Sequence, residues 1–176
     1  MNTSVLKASP LLKSTIRTMA TAPSKLVPPF TRETAHAKVK AAQDLWNTQN
    51  PERIALAYTE NSIWRNRTSF VTGRPEIVDL LKHKWVKEKD YILRKELFSF
   101  TDNRIAVQFW YEYRDAQDGM KWKRCYGLED WTFDESGLMR KRHMSGNDME
   151  IQDGERFFKG LTTDEVEKAD ISEHHW

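Results

Sequence analysis

The second half of the chain consists of four long segments in which apolar and polar residues alternate, separated by short polar turns. The segments span residues 91–101, 104–115, 120–134 and 138–149. The residue pairs between them are Asp102-Asn103, Asp118-Gly119 and Ser136-Gly137. Alternation with a period of two is typical of β-strands, and such residue pairs are typical of tight turns. This pattern predicts a meander of long antiparallel strands.

The first half has the patterns of helices. Residues 31–48 place apolar side chains at steps of three and four, which predicts an amphipathic helix. Asn50 and Pro51 are typical of the cap and first turn of a second, short helix. A short strand is predicted at residues 62–67, and a third helix at residues 75–88. We therefore predict an α+β domain with three N-terminal helices packed on a curled, mainly antiparallel β-sheet.

Composition excludes several classes of protein. The chain has 176 residues, of which 39% are hydrophobic and seven are Trp, so it is long and apolar enough for a folded core. It has no apolar run long enough to span a membrane, and its single cysteine excludes an internal disulfide. The first 30 residues hold four of the 28 Lys and Arg residues and no acid, which leaves 24 basic against 26 acidic residues beyond them. No basic excess remains there to favour a nucleic-acid partner.

The two ends of the chain differ from the middle. Residues 1–28 are basic, rich in Ser and Thr and free of acids, which is typical of a mitochondrial transit peptide. A disordered leader, or an alternative start at Met19 that gives a cytoplasmic form, fits the same residues. We place the folded domain at residues 29–158. Residues 159–176 are an acidic tail in which Thr162 and Glu165 match a capping box and predict a short helix.

Turn length sets the register of the strands, and register decides which side chains share a face of the sheet. Two-residue turns at 102–103 and 118–119 and a four-residue loop at 134–137 would pair Phe98 with Val107, Phe100 with Ile105, Tyr111 with Tyr126, Leu128 with His143 and Asp130 with Lys141. The apolar residues would then meet the helices, with Asp130 and His143 toward one end of that face. A one-residue slip would exchange the two faces.

The opposite face would alternate charged residues with Trp, a composition that suits a sheet-to-sheet dimer. We expect the dimer interface at Trp110, Glu129, Trp131 and Arg142, with Lys95 on the same face. Glu129 and Arg142 would be cross-strand partners there.

The chain resembles the nuclear transport factor 2-like, or SnoaL-like, superfamily, and within it an uncharacterised family, domain of unknown function 1348. The resemblance covers about residues 30–157. It is carried by YTENSIWRNRTSFVTGRPEIVDLLKHKWVKEKDY, KELFSFTDNRIAVQFWYEY and RCYGLEDWTFDESGLMRKR followed by SGND. It implies a cone-shaped domain, usually a homodimer, whose curled sheet and helices enclose a pocket. The family commonly has Asn-Glu-Asn-Trp where this chain has Leu128-Glu129-Asp130-Trp131, so Asp130 departs from the pattern, as does His143.

The resemblance also implies a function. Related domains include isomerases and dehydratases that act on small, mostly apolar molecules without a cofactor, through a titratable residue in a dry pocket. We expect Asp130 and His143 to be the catalytic acid/base pair and an apolar small molecule to be the ligand. The pocket-lining residues would be Tyr58, Trp64, Asn66, Trp85, Tyr126 and Asn147. The dispersed His and acidic residues match no metal-site spacing, so no metal is expected.

A non-catalytic, dimeric protein-interaction module is the alternative. An open cavity with polar lining would favour the enzyme, and a cavity filled by Trp64, Trp85 and Phe98 would favour the module.

Overall fold

The computed structural model describes residues 25–176. The predicted leader therefore lies outside the described residues except for its last four. This part of the chain contains three α-helices: α1 (Arg32–Asn47), α2 (Pro51–Ala55) and α3 (Gly73–Lys87). Six strands follow the order β1 (Tyr58–Asn66), β2 (Ser69–Thr72), β3 (Glu88–Phe100), β4 (Arg104–Asp115), β5 (Lys121–Phe133) and β6 (Met139–Glu150). The predicted α+β class, with three helices on a curled sheet, is confirmed; the short strand β2 was not predicted.

The strands form one sheet in the order β2-β1-β6-β5-β4-β3. All neighbouring pairs are antiparallel except β1 and β6, which run parallel. Register shifts occur within the pairing of β3 with β4 and of β5 with β6. Such irregularities bend strands, and they let the long meander curl around α1 and α3.

Local sequence explains where the first two helices begin. The Thr31 hydroxyl accepts a hydrogen bond from the Thr34 amide, and the Thr34 hydroxyl accepts one from the Thr31 amide, which forms a capping box at the start of α1. The Asn50 side chain accepts a hydrogen bond from the amide of Arg53 at 2.9 Å, and Pro51 occupies the first turn of α2.

The register from β4 to β5 differs from the prediction by one residue. Asp115 pairs with Lys121, so residues 116–120 form a five-residue loop instead of a two-residue turn. The loop closes because the Asp115 carbonyl accepts a hydrogen bond from the Met120 amide at 2.9 Å, while Gly119 and Met120 both adopt positive φ. The predicted pairing of Tyr111 with Tyr126 is therefore wrong: Tyr111 pairs with Cys125.

Of the four other predicted pairings, one is confirmed and three are wrong. Phe100 pairs with Ile105 as predicted, but a bulge before Ser99 pairs Leu97, not Phe98, with Val107. Phe98 is 65% exposed. On the last hairpin, the connection after Phe133 is longer than four residues, and the observed pairs are Leu128 with Ser145 and Asp130 with His143.

The slip between β4 and β5 reverses the predicted faces of β5 and β6. Glu129, Trp131 and Arg142 point inward, toward the helices, while Asp130 and His143 lie on the outer face. The inner core joins helix and sheet residues, among them Val39, Ile54, Ile77, Leu81, Ile105, Val107, Phe109, Trp131 and Phe133. The expectation that the apolar residues of β4 meet the helices is correct, because β4 itself is not shifted.

A second, smaller core lies on the outer face, between the sheet and residues 151–176; this whole segment after β6, which includes the predicted tail at residues 159–176, is called the C-terminal tail below. It contains Ile92, Trp110, Phe158, Val166, Ala169 and Ile171. Within the tail a short 3-10 helix, Thr163–Lys168, follows the capping box at Thr162 and Glu165. The tail is therefore part of the folded unit.

Buried hydrogen bonds hold the tail against the sheet. Glu112 is fully buried and forms an ion pair with Arg124 at 2.8 Å. Its carboxylate accepts hydrogen bonds from the backbone amides of Phe157 and Phe158. The Trp110 indole donates to the carbonyl of His175 at 2.7 Å. A buried carboxylate that loses such donors is costly, so these contacts fix the position of the tail.

Within residues 25–176, none of the helices combines the length and the apolar character needed to span a bilayer.

We predict that replacing Phe158 with Ala lowers the free energy of unfolding by about 3–5 kcal/mol, because the fully buried ring would leave a cavity between tail and sheet. The measurement is chemical denaturation followed by Trp fluorescence. Phe98→Ala is the matched control, since its ring is 65% exposed, and we expect a change below about 1 kcal/mol. Equal effects of the two variants would show that the tail does not pack as described.

Candidate functional site

A cavity of about 350 Å³ lies between α1, α3 and the inner face of the sheet. Cavities of this size accept small organic ligands. Trp46, Tyr91, Leu93, Phe109, Tyr111 and Met144 provide most of its apolar wall. Lys95, Glu129 and Arg142 also line it, and we call these three residues the buried triad.

The buried triad joins three strands through one carboxylate. Lys95 on β3 donates a hydrogen bond from Nζ to Glu129 Oε2 at 2.8 Å, and Arg142 on β6 donates from Nη2 to Glu129 Oε1. The Trp131 indole, two residues along β5, donates to Glu129 Oε2 at 2.7 Å. All three charged side chains are 3% exposed or less. A charge this deeply buried is stable only when it is paired and hydrogen-bonded.

Helix α1 positions the edge strand that carries Lys95. The Asn47 amide group donates to the carbonyl of Leu93, and the Leu93 amide donates back to Asn47 Oδ1, both at 2.9 Å. The Lys95 amide donates to Gln43 Oε1 at 2.8 Å. These side chains take the place that a further strand would occupy, and they fix the backbone from which Lys95 extends into the cavity.

Aromatic rings surround both cations. Lys95 Nζ lies 4.7 Å from the ring centroid of Phe109, 5.4 Å from that of Trp131 and 5.7 Å from that of Trp46. The guanidinium of Arg142 lies 4.8 Å from the ring of Trp46 and 4.7 Å from that of Trp64. The ring faces attract the cations and keep water from them.

One glycine makes room for the Phe109 ring. Gly127 lies opposite Phe109 on the neighbouring strand. A Cβ at Gly127 would lie 1.9 Å from Phe109 Cζ, closer than atoms can approach. The absence of a side chain therefore lets the ring lie against β5 and form part of the cavity wall.

The charges of the buried triad set its protonation states. Burial alone would raise the pKa of Glu129, but the positive charges of Arg142 and Lys95 outweigh it and lower this pKa to about 2. Burial lowers the pKa of Lys95 from 10.5 to about 8, although Glu129 opposes the shift. Glu129 thus remains an anion near neutral pH. Lys95 is the member of the buried triad that can readily gain or lose a proton.

The cavity mouth carries ion pairs and tyrosines. Lys84 pairs with Glu88, and its Nζ lies 4.2 Å from the ring centroid of Tyr111. Arg67 Nη2 donates to Asp148 Oδ1 at 2.8 Å and to the hydroxyl of Tyr111 at 3.2 Å. Burial raises the pKa of Tyr111 well above its ordinary value, so its hydroxyl stays protonated.

The predicted pocket-lining residues divide into three groups. Asn66 lines the cavity, and its Oδ1 accepts a hydrogen bond from Arg142 Nη1 at 2.9 Å. Tyr58, Trp64 and Trp85 pack around Trp46 and do not line this cavity. Tyr126 and Asn147 pair with each other across the outer face, where the Tyr126 hydroxyl lies 2.7 Å from His175 Nδ1.

Asp130 and His143 lie outside the cavity. They pair directly across β5 and β6, not one residue apart as predicted, and both side chains point to the outer face. Asp130 forms an ion pair with Arg104, and the side chains of the two are 39% and 56% exposed. Burial and the charges of Lys141 and Arg65 lower the pKa of His143. This geometry gives the pair no part in the cavity.

The residues predicted at a dimer interface are buried within one chain. Glu129, Trp131 and Arg142 belong to the cavity and core, and Trp110 lies beneath the C-terminal tail; each is 4% exposed or less. This corrects the predicted interface. The sequence grouped Lys95, Glu129 and Arg142 on one face. Two errors placed them outward: the turn between β4 and β5 was predicted with the wrong length, and the bulge at Phe98 on β3 was not predicted. The sequence reasoning missed Lys84, because a basic residue in a helix is usually exposed.

The family described as "Protein of unknown function (DUF1348)" matches residues 28–159. No curated protein gives a significant match.

Solved structures share the fold at low identity. One is SalBIII, described as an epoxide hydrolase/cyclase-like enzyme with a role in pyran ring formation in polyether salinomycin. It is 12% identical to this chain, with a TM-score of 0.58, and the match covers 65% of this chain and 92% of that chain. The hexachlorocyclohexane dehydrochlorinase LinA type 2 is 11% identical, with a TM-score of 0.55 over 66% of this chain and 86% of that chain. An NTF2-like protein of unknown function from Burkholderia pseudomallei is 12% identical, with a TM-score of 0.57 over 63% and 88%. These likenesses establish an NTF2-like fold, as the resemblance implied.

We predict that Glu129→Gln lowers the free energy of unfolding by about 3–5 kcal/mol, because it leaves two buried cations without their shared anion. Chemical denaturation at neutral pH measures the change. Glu135→Gln, in the exposed loop between β5 and β6, is the matched control and should leave stability unchanged. Equal stability of the two variants would mean that Glu129 does not hold the buried triad together.

A second prediction concerns pH. The folded-state pKa of Lys95, about 8, lies below its ordinary value of 10.5, so between these values the unfolded chain binds the extra proton. The wild type should therefore gain stability relative to Lys95→Met as the pH rises from about 8 to about 10.5. Parallel denaturation series of the two proteins measure the difference. A constant difference across that window would contradict the lowered pKa.

Proposed function

The chain belongs to the DUF1348 family and has the NTF2-like fold, and from this premise we propose that it binds a small molecule in the cavity and transfers a proton to or from it. The chemistry would be that of a cofactor-free isomerase or dehydratase. The observation that carries the proposal is the buried triad, which lines a cavity with aromatic walls and holds a lysine of lowered pKa.

The lining of the cavity supports a ligand with a flat, apolar body. Phe109 and Tyr111 stack at 5.9 Å, and Tyr91 lies 5.0 Å from Tyr111, so a continuous aromatic surface leads inward to Lys95. An apolar body would bury against these rings, and polar atoms of the ligand would meet the buried triad. Phe98, which would have filled the cavity in the alternative proposal, is exposed.

Lys95 would be the proton donor. A group transfers protons best when its pKa lies near the working pH, and burial brings Lys95 there. When Lys95 gives its proton to a carbonyl or hydroxyl oxygen, Glu129 keeps two donors, Arg142 and Trp131, and remains an anion. Glu129 would therefore position the lysine and balance its charge; its low pKa makes it a poor base.

The structural neighbours support chemistry on small organic molecules. SalBIII is described as an epoxide hydrolase/cyclase-like enzyme, and LinA as a dehydrochlorinase. We transfer from them only the proposal that this fold, with a titratable group in its cavity, acts on such molecules.

The non-catalytic, dimeric interaction module remains the second candidate. It would use the outer face of the sheet, where Leu128 is 53% exposed although it is apolar. In that case the cavity would have no ligand.

Native mass spectrometry of the protein from its own host would distinguish the two proposals, because it reports bound molecules and oligomeric state together. We expect a small molecule that is retained under gentle conditions and released on denaturation. An empty protein that forms dimers would contradict ligand binding and favour the interaction module.

We predict that Lys95→Met loses the retained molecule without losing thermal stability. Burial of the charged Lys95 ammonium costs free energy in the folded state, and Met removes that cost because its side chain is uncharged. Functional groups commonly reduce stability in this way. Lys89→Met, an exposed position on the same strand, is the control and should keep the ligand. Full ligand retention in Lys95→Met would contradict a role of Lys95 in binding. A large fall in the melting temperature of this variant would indicate a structural role instead.

A further inference from the structure

We propose that the ligand of this cavity carries a carboxylate, which binds at the buried triad beside Lys95 and Arg142. The inference rests on the proposed function, that the cavity binds a small molecule, and adds the chemical class of that molecule.

The buried triad has an unbalanced charge. It contains two cations and one carboxylate, and all three side chains are almost completely buried. Two buried positive charges that share one negative charge leave an excess that water cannot screen. An anion bound in the cavity would remove this excess.

The cations at the mouth each have a carboxylate nearby, although Lys87 shares Asp115 with Lys123, which lies 2.9 Å from it. Lys84 pairs with Glu88, Arg67 with Asp148 at 2.8 Å, and Lys87 lies 3.5 Å from Asp115. An anionic group that enters the cavity would therefore gain most at its inner end.

The unused hydrogen-bond donors of Lys95 also indicate an anion at the inner end of the cavity. An ammonium group carries three protons, and among the described residues Lys95 Nζ has one hydrogen-bond acceptor, Glu129. Two protons remain on the side of the cavity and its aromatic rings. One of them can bind a carboxylate oxygen while the other is available for transfer to the reacting atom.

The occupied donors of Arg142 show why Lys95 is the primary contact. Arg142 uses Nη1 for Asn66 and Nη2 for Glu129, and its guanidinium lies against the rings of Trp46 and Trp64. It would contribute positive charge to the site, while Lys95 would donate the hydrogen bond.

The aromatic walls and the volume of about 350 Å³ restrict the rest of the ligand. A planar, unsaturated or aromatic body fits between rings such as Phe109 and Tyr111 better than a branched or polar one. Benzoate is therefore a suitable probe, and benzamide is its neutral counterpart of nearly the same shape.

The test is isothermal titration of the full-length protein with benzoate and with benzamide. We expect benzoate to bind at least about tenfold more tightly, as a charge-assisted hydrogen bond in a dry site provides. Lys95→Met should lose this preference, and Lys89→Met should keep it. No binding of benzoate, equal binding of benzamide, or a preference that survives in Lys95→Met would overturn the inference.

A further arm separates this inference from the proposed function. Acetate and chloride test whether any small anion suffices, and we expect both to bind at least about tenfold more weakly than benzoate because they do not contact the aromatic walls. Equal affinity would overturn the ligand class. If the protein from its host retains a neutral molecule that Lys95→Met loses, the proposed function stands and the carboxylate is wrong. If it retains nothing and binds no probe, both fail.

Discussion

One carboxylate, that of Glu129, connects the parts of the structure on which the candidate site depends. It accepts hydrogen bonds from Lys95 on β3, Arg142 on β6 and Trp131 on its own strand. The two cations would repel each other without it, and neither has another carboxylate within bonding distance among residues 25–176. The charge of the inner end of the cavity follows from this arrangement, and Glu129 opposes the lowering of the Lys95 pKa that burial causes.

The five-residue loop between β4 and β5 determines that Glu129 points inward. Because side chains alternate along a strand, one residue more or less in a turn exchanges the two faces of every strand that follows. Here the loop turns Glu129, Trp131 and Arg142 to the core and Asp130 and His143 to the outside. The geometry of one turn thus selects which set of ionisable groups lines the cavity.

The C-terminal tail gives the outer face of the sheet a core of its own. It covers Ile92 and Trp110, and Glu112 fixes it through backbone amides. A partner that used this face would meet the tail as well as the strands. Leu128 and its neighbours on β5 and β6 are the part of the face that the tail leaves exposed.

The sequence by itself determined the order and approximate bounds of the helices and long strands, because these depend on local periodicity, on caps such as Thr31 and Asn50, and on Gly and Pro positions. It also determined the family, and it placed Lys95, Glu129 and Arg142 on a common face. Only the tertiary structure decided which face that was. Register depends on loop closure and on the bulge at Phe98, and these respond to packing over the whole sheet, which no short segment of sequence encodes.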